Sequence, residues 1–252
     1  MIQKILSRIL VVVVLFGLTL DIEARRKKKK KRNKGETEQI VKPKPKPKPK
    51  KGAILAYEKV VTKEMKTDEG LFKVHSLDDT FLFEVPDSLL NREMLMVTRI
   101  AKTANGIGFG GGKTNTQVLR WERKKKKILL RIVSHSVVAD TILPVHEAVV
   151  NSNFEPVLFS FPIKAFNKDT TAVVIDATSL FSTDVKPLGF PQFYRKRYGV
   201  TRIDKSRSYI DRVSSYPQNI ETRHVKTYFA SKSPSNGSVG SISIEMSNSM
   251  IL

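Results

Sequence analysis

Cysteine is absent from the 252-residue sequence, and this absence excludes several classes of protein. Without cysteine the chain cannot form a disulfide-stabilised scaffold, a Cys-ligated zinc finger, an iron–sulfur site, the nucleophile of a cysteine protease or the anchor of a bacterial lipoprotein. Histidine is scarce, with four residues, and the nucleophile motifs GxSxG and SxxK do not occur. The sequence therefore predicts no catalytic, cofactor-binding or metal-binding residue.

The positive charge of the chain is concentrated in one segment. The formal net charge is +21, but residues 25–51 hold 15 basic and 2 acidic residues, whereas residues 52–252 hold 28 and 20. A nucleic-acid-binding domain requires basic residues gathered on a folded surface, often with aromatic residues for base stacking, and residues 25–51 contain no aromatic residue. We therefore expect no nucleic-acid partner.

Residues 1–24 have the pattern of a signal peptide. Lys4 and Arg8 precede an apolar run over 9–20, whose length suits a signal peptide and falls short of the roughly 20 residues of a membrane-spanning helix. The run RRKKKKKR over 25–32 follows directly and favours retention of that side in the cytoplasm. Export, to the periplasm, the cell envelope or beyond, is the prediction, and a retained membrane anchor is the alternative.

Residues 25–51 are of low complexity and end in KPKPKPKPKK. With almost no apolar residues to bury, this Lys/Pro-rich segment is predicted to be a disordered linker, extended where proline alternates with lysine. It is either a solvated spacer or an arm that contacts an anionic membrane or polysaccharide surface.

From residue 52 the apolar residues fall in short runs with a period of two, which is typical of strands. Hairpins are predicted across Asp78-Asp79 and across the lysines at 124–127, and helices over 145–150 and 206–216. The predicted fold is mainly β to α+β, with antiparallel sheets, hairpins and one or two short helices. We expect two β-rich domains, 52–110 and 111–252, the second incomplete at its C-terminus and leaving an unpaired edge strand over 238–252.

The glycine cluster at 106–112 satisfies neither of two nucleotide-binding motifs. A P-loop ending in Gly112, Lys113 and Thr114 requires glycine where Ile107 stands. Gly106, Gly108 and Gly111 spell GxGxxG, but a strand, not a helix, is predicted to follow. The cluster is therefore interpreted as a loop between strands.

A zinc-protease motif is also incomplete. His146 and Glu147 begin an HExxH pattern, but Val150 stands at the second histidine position. The other histidines, His75, His135 and His224, lie in separate predicted strands. We expect residues 52–252 neither to hold zinc nor to cleave protein.

Several long stretches resemble the N-terminal, non-catalytic region of a family of exported bacterial zinc-dependent metalloproteases of the HExxH, zincin type. The resemblance covers Tyr57 to Leu252, and its main stretches are DEGLFKVH (68–75), FLFEVPDSLLNREMLMVTRIAKT (81–103), NTQVLRWER (115–123), NSNFEPVLFSFPIKAFNKDTTAVVIDATSLF (151–181), RSYIDRVSSYPQNIETRHVKTY (207–228) and SISIEMSNSMIL (241–252).

The resemblance implies two front domains of unknown function that precede a separate catalytic domain. The zinc and the HExxH residues belong to that domain, so no catalytic residue carries over to this chain. One hypothesis is a front portion, inactive alone, that packs against or presents a catalytic domain supplied in cis or from an adjacent frame. The other is a stand-alone module that binds the cell envelope through its basic arm.

Overall fold

The computed structural model describes residues 53–234 and 239–252, which belong to one compact unit, Pro49–Leu252. The predicted signal peptide at 1–24 and the predicted linker at 25–51 lie outside the described residues. Within these residues, no helix is long and apolar enough to cross a membrane.

Strands dominate the described residues, as the sequence predicts. The strands are β1 (Lys66–Asp68), β2 (Lys73–Leu77), β3 (Thr80–Pro86), β4 (Glu93–Lys102), β5 (Lys113–Lys124), β6 (Lys127–Val133), β7 (Val157–Phe166), β8 (Ala172–Asp176), β9 (Val200–Ile203), β10 (Tyr209–Ser215), β11 (Asn219–Ala230) and β12 (Ser241–Ile251). The helices are α1 (Tyr57–Val60), α2 (Val145–Ser152), α3 (Thr178–Ser182) and α4 (Gln192–Tyr198), with 3-10 turns at Asp87–Leu89, Lys186–Leu188 and Lys205–Arg207.

All twelve strands of the described residues join one antiparallel sheet that nearly closes on itself. Its order is β1-β2-β3-β8-β7-β6-β5-β4-β12-β11-β10, and β9 pairs with β11. At the seam between the two end strands, Leu71 N donates to Tyr216 O at 2.7 Å and Ser215 N donates to Asp68 Oδ2 at 2.8 Å. Gly70 permits this approach, because a Cβ there would lie 2.7 Å from the backbone of Ser215. The sheet therefore has an inner and an outer face.

The inner face holds the main apolar core. Trp121 on β5 is fully buried, with ring centroids 5.8 Å from Phe72 and 5.5 Å from Phe161. α3 lies against β3, β10 and β11 and inserts Leu180 and Phe181 into this core. A separate cluster contains Ile100, Ile107, Phe190, Tyr198, Tyr228, Ala230, Ile242, Ile244 and Met246. The alternation read from the sequence thus selects the buried face of each strand.

Both predicted hairpins and one predicted helix are confirmed. Asp78-Asp79 joins β2 to β3, Lys125-Lys126 joins β5 to β6, and α2 covers the predicted helix over 145–150. The predicted boundary between 110 and 111 falls in the glycine loop joining β4 to β5. Strands from both sides of it enter the same sheet, since β3 pairs with β8 and β4 pairs with β12.

The predicted helix over 206–216 is wrong, because residues 209–215 form β10. A bulge between Ile210 and Arg212 shifts the register against β11, so that Asp211 and Arg212 both face solvent. Buried Ile210 and half-buried Val213 are then three residues apart, and this spacing imitates a helix. Asp204, which precedes this segment, caps the 3-10 turn at Lys205–Arg207, where its Oδ1 accepts from Ser206 N at 3.0 Å.

The predicted unpaired edge strand over 238–252 is also wrong. β12 lies between β11 and β4 and pairs with both over most of its length. Its partner β4 lies about 150 residues earlier in the sequence, and pairing over such a separation leaves no local signal in the sequence.

Candidate functional site

A groove of about 630 Å³ opens on the outer face of β5 and β6. Its floor contains Arg120 and Glu122 from β5, which alternate with buried residues of that strand, and Arg131 from β6, which is itself almost covered. Its wall is the segment 134–156, which leaves the sheet after β6, forms α2 and returns as β7. We take this groove as the candidate functional site.

Paired charges stabilise the floor of the groove. Arg120 and Arg131 lie directly opposite each other in the register of β5 and β6, an arrangement that repels unless each charge is neutralised. Arg120 pairs with Glu155, and Arg131 pairs with Glu122 and donates from Nη1 to Glu155 O at 2.7 Å. The β alternation predicts that these arginines face outward, but the contribution of Glu155 depends on how the wall folds back and has no signal in the sequence.

The wall of the groove exposes many apolar side chains. α2 has no buried residue, and the exposed apolar residues of the wall include Val138 at 70 %, Ile142 at 86 % and Phe154 at 78 %. The Phe154 ring packs 5.0 Å from the Arg131 guanidinium and leaves most of its surface in water. Several exposed apolar side chains beside a polar floor are typical of a protein-binding site.

The incomplete HExxH pattern lies in this wall. His146 lines the groove, and its Nδ1 lies 3.2 Å from Ala139 O, so the ring helps to hold the loop before α2. Val150 on the next turn is exposed. His146 therefore contacts the backbone of the loop that precedes α2.

The other histidines lie in separate places. His75 is on β2, His224 is inside the sheet on β11, and His135, which the sequence placed in a strand, lies just beyond β6 with its Nε2 2.9 Å from Glu93. Within residues 53–234 and 239–252, no group of three His, Asp or Glu side chains is arranged to hold a metal ion.

A chain of hydrogen bonds links α1 and β1 to the sheet. His75 lies between Thr67, 2.8 Å from its Nδ1, and Glu84, 3.1 Å from its Nε2, and Tyr57 donates to Glu84 at 2.7 Å. The hydrogen bond to His75, strengthened by that from Tyr57, holds the pKa of Glu84 below its usual range despite burial. The order hydroxyl–imidazole–carboxylate resembles a hydrolase triad, but His75 and Glu84 are buried, and the contacts of this cluster fasten α1 and β1 to β2 and β3.

A second polar cluster lies on the inner face, and no pattern in the sequence predicts it. Lys226 on β11 is fully buried, and its Nζ donates to Thr183 O at 3.0 Å and to Leu188 O at 3.2 Å. Arg195 on α4 donates to both carboxylate oxygens of Asp184. Burial would raise the pKa of Asp184, but the hydrogen bonds from Arg195 and the charges of Arg195 and Lys226 lower it.

Burial strongly perturbs two of the three basic residues of β11, Lys226 and His224. It lowers the pKa of Lys226 to about 7, and together with the charge of Lys226 it lowers the pKa of His224 to about 3. Such pKa values often mark catalytic groups, but both side chains are at 0 % exposure, so solvent does not reach them. Their hydrogen bonds join the segment 183–188 and Asn248 to β11, which is a structural role.

Comparison with known proteins matches the chain to two family models. Residues 54–103 match a model described as Domain of unknown function (DUF5118), and residues 111–252 match one described as Domain of unknown function (DUF5117). No curated protein and no solved structure matches the chain.

Proposed function

The chain belongs to the DUF5117 family, whose model covers residues 111–252, and from its resemblance to the front region of exported zinc-dependent metalloproteases we propose that it is the non-catalytic front portion of such a protease. On this proposal the chain is inactive alone, and its groove packs against a catalytic domain that carries the zinc. Its location would be the cell envelope or the medium outside the cell.

The exposed apolar wall of the groove is the observation that carries this proposal. Val138, Val150 and Phe154 line the groove and place apolar surface in water beside a floor of paired charges, and burying one such side chain yields about 2 kcal/mol. Protein interfaces combine an apolar centre with polar and arginine-rich surroundings of this kind. A neighbouring catalytic domain would cover this surface.

Two further observations support the metalloprotease proposal. The stretches that resemble the front region of that family include most of β3, β4, β7, β8, β10 and β11, which are the framework of the fold. The DUF5118 and DUF5117 models also follow one another in this chain, and the resemblance implies two front domains of unknown function.

Co-purification tests the proposal. The DNA that follows the codon for Leu252 is expected to encode an HExxH domain, in the same reading frame or a shifted one. That domain, expressed with this chain, should co-purify with it and hold the zinc. The double variant Val138→Ser/Val150→Ser should weaken the association at least tenfold, because it removes two exposed apolar side chains that line the groove and leaves the floor unchanged.

The matched control is Tyr209→Ser, which removes an exposed side chain, at 52 %, from β10 on another part of the surface. Equal losses in the two variants would mean that the groove is not the interface. A downstream region without HExxH in any frame would contradict the metalloprotease proposal and favour the envelope-binding module.

A further inference from the structure

The glycine loop between β4 and β5 holds an aromatic side chain almost wholly in solvent. Phe109 is 98 % exposed and stands between Gly108 and Gly110. Two residues earlier, Ile107 is buried in the cluster of Tyr198 and Tyr228, so the base of the loop is anchored while its tip projects. A phenylalanine left in water forgoes about 2 kcal/mol of burial, so fold stability does not account for this side chain.

A second exposed aromatic residue lies on α4, which contacts the same loop. Phe193 is 66 % exposed. Tyr198, at the end of α4, donates from its hydroxyl to Gly106 O at 3.4 Å, and its own carbonyl accepts from Lys232 N at 3.0 Å. The glycine loop, α4 and the residues after β11 therefore form one surface.

Exposed basic residues lie on the same elements as these two rings. Lys196 and Arg197 lie three and four residues after Phe193, on the same face of α4, and Lys113 follows the glycine loop. These three side chains are exposed, as is Lys232, and within the described residues none of the four forms an ion pair. We call Phe109, Phe193, Lys113, Lys196, Arg197 and Lys232 the tip surface.

The acidic residues of the adjoining elements do not neutralise this charge. Asp184 is paired with Arg195, Asp204 with Arg207, and Glu245 with both Lys102 and Arg223. The tip surface therefore presents two projecting aromatic rings among positive charges that lack a counterpart in the described part of the chain.

We propose that the tip surface docks on an anionic lipid bilayer, with Phe109 and Phe193 inserted at the headgroup level and the cations bound to lipid phosphates. Each basic residue near an anionic membrane contributes about 1 kcal/mol, and phenylalanine is among the apolar residues that surface-bound proteins insert at the boundary between headgroups and acyl chains. A bilayer deforms around projecting side chains, whereas a protein partner would need a pocket for each ring. The groove lies elsewhere, on the outer face of β5 and β6, so this inference does not rest on the proposed function.

Site-specific labelling tests the docking, and the absence of cysteine makes each introduced cysteine unique. The full chain carrying Phe109→Cys, Phe193→Cys or Val138→Cys is labelled with an environment-sensitive NBD fluorophore. Vesicles of phosphatidylcholine with phosphatidylglycerol are expected to shift the emission maximum of the labels at positions 109 and 193 to shorter wavelength. They should also raise the emission intensity of these labels several-fold. Vesicles of phosphatidylcholine alone, and the label at Val138 in the groove, should give little change.

The comparison between positions removes the effect of residues 25–51, which could hold any of the three proteins near a vesicle. Unchanged emission at Phe109→Cys, or an equal response at Val138→Cys, would overturn the proposal. So would a response at Phe109→Cys to a protein partner but not to vesicles.

Charge reversal gives an independent test in the same labelled chain. Lys196→Glu/Arg197→Glu should reduce the response of the label at position 109 at least fivefold, because the headgroup contacts are lost. The matched control is Lys124→Glu/Lys126→Glu at the other end of β5, which makes the same change in net charge. A similar reduction in both variants would show that only net charge matters, and the tip surface would then not be the docking site.

Discussion

Replacing Asp184 by asparagine is expected to lower the free energy of unfolding by about 3 to 5 kcal/mol, the cost of leaving a buried charge without its partner. The Asp184 carboxylate accepts from both Arg195 Nη1 and Nη2, and it is also attracted to the charge of Lys226. Both cations are buried. A domain of this size is stable by about 5 to 15 kcal/mol, so the variant should retain a small margin.

Urea unfolding at pH 6 measures this loss, because Lys226, with a pKa of about 7, is then mostly charged. Trp121 is the one tryptophan of the sequence and is fully buried, so its fluorescence reports unfolding. The control Glu69→Gln removes an exposed partner of Lys73 and should change little.

A second substitution separates charge from packing. Adding Lys226→Met to Asp184→Asn removes one of the two unpaired cations and should restore part of the lost stability. If the double variant is instead less stable by the sum of the two single effects, the charge balance of this cluster is not what stabilises it.

Acid is expected to destabilise the protein through His224, by about 4 kcal/mol between pH 6.5 and pH 3. Burial, with the nearby charge of Lys226, lowers the pKa of His224 to about 3 in the folded state, whereas an unfolded histidine has a pKa of about 6.5. Between these values the unfolded chain binds a proton that the folded chain does not. The free energy of unfolding therefore falls as the pH falls, by about 1.4 kcal/mol per pH unit.

The variant His224→Gln removes this titration, and glutamine has an amide that is able to donate to Asn248 Oδ1, as the imidazole does. Carboxylates with lowered pKa values, such as Glu84, Asp184 and Glu245, weaken both proteins in acid, so the informative quantity is the difference between wild type and variant. That difference should change by about 3 kcal/mol between pH 6.5 and pH 4. Parallel curves would show that His224 does not titrate in this range.

Local alternation predicts much of this fold, because hairpins join strands that are neighbours in sequence. The turn at Asp78-Asp79 and the turn between β5 and β6 follow from two short apolar runs separated by turn residues. The prediction of a helix in place of β10 is wrong for a local reason, since the bulge in this strand breaks the period of two. The prediction for β12 is wrong for a non-local reason, since its pairing with β4 joins residues about 150 positions apart and leaves no local pattern in the sequence.

The sequence does not predict the polar cluster of the inner face, because polar residues are buried there. Along β11 the inward residues are Ile220, Thr222, His224, Lys226 and Tyr228, and the middle three would ordinarily be assigned to a solvent-facing side. They are buried because α3 and the segment after it cover them and supply Thr183 O, Leu188 O and Asp184. The groove is half predictable: α2 and the outward arginines follow from the sequence, whereas the exposure of Phe154 and the position of Glu155 depend on the fold.

The seam of the sheet has a mechanical consequence. Tension applied through the chain that precedes Leu55 would load the hydrogen bond from Leu55 N to Lys164 O first, and then the contacts of Tyr57 and β1. β1 has three residues and pairs only with β2, and the opposite side of the seam is held by Ser215 and Tyr216 through a few hydrogen bonds. Peeling would therefore open the nearly closed sheet at its seam. The long strands β4 and β12, each paired on both sides, would still resist. The N-terminal strands would act as a weak link that yields under load before the rest of the fold.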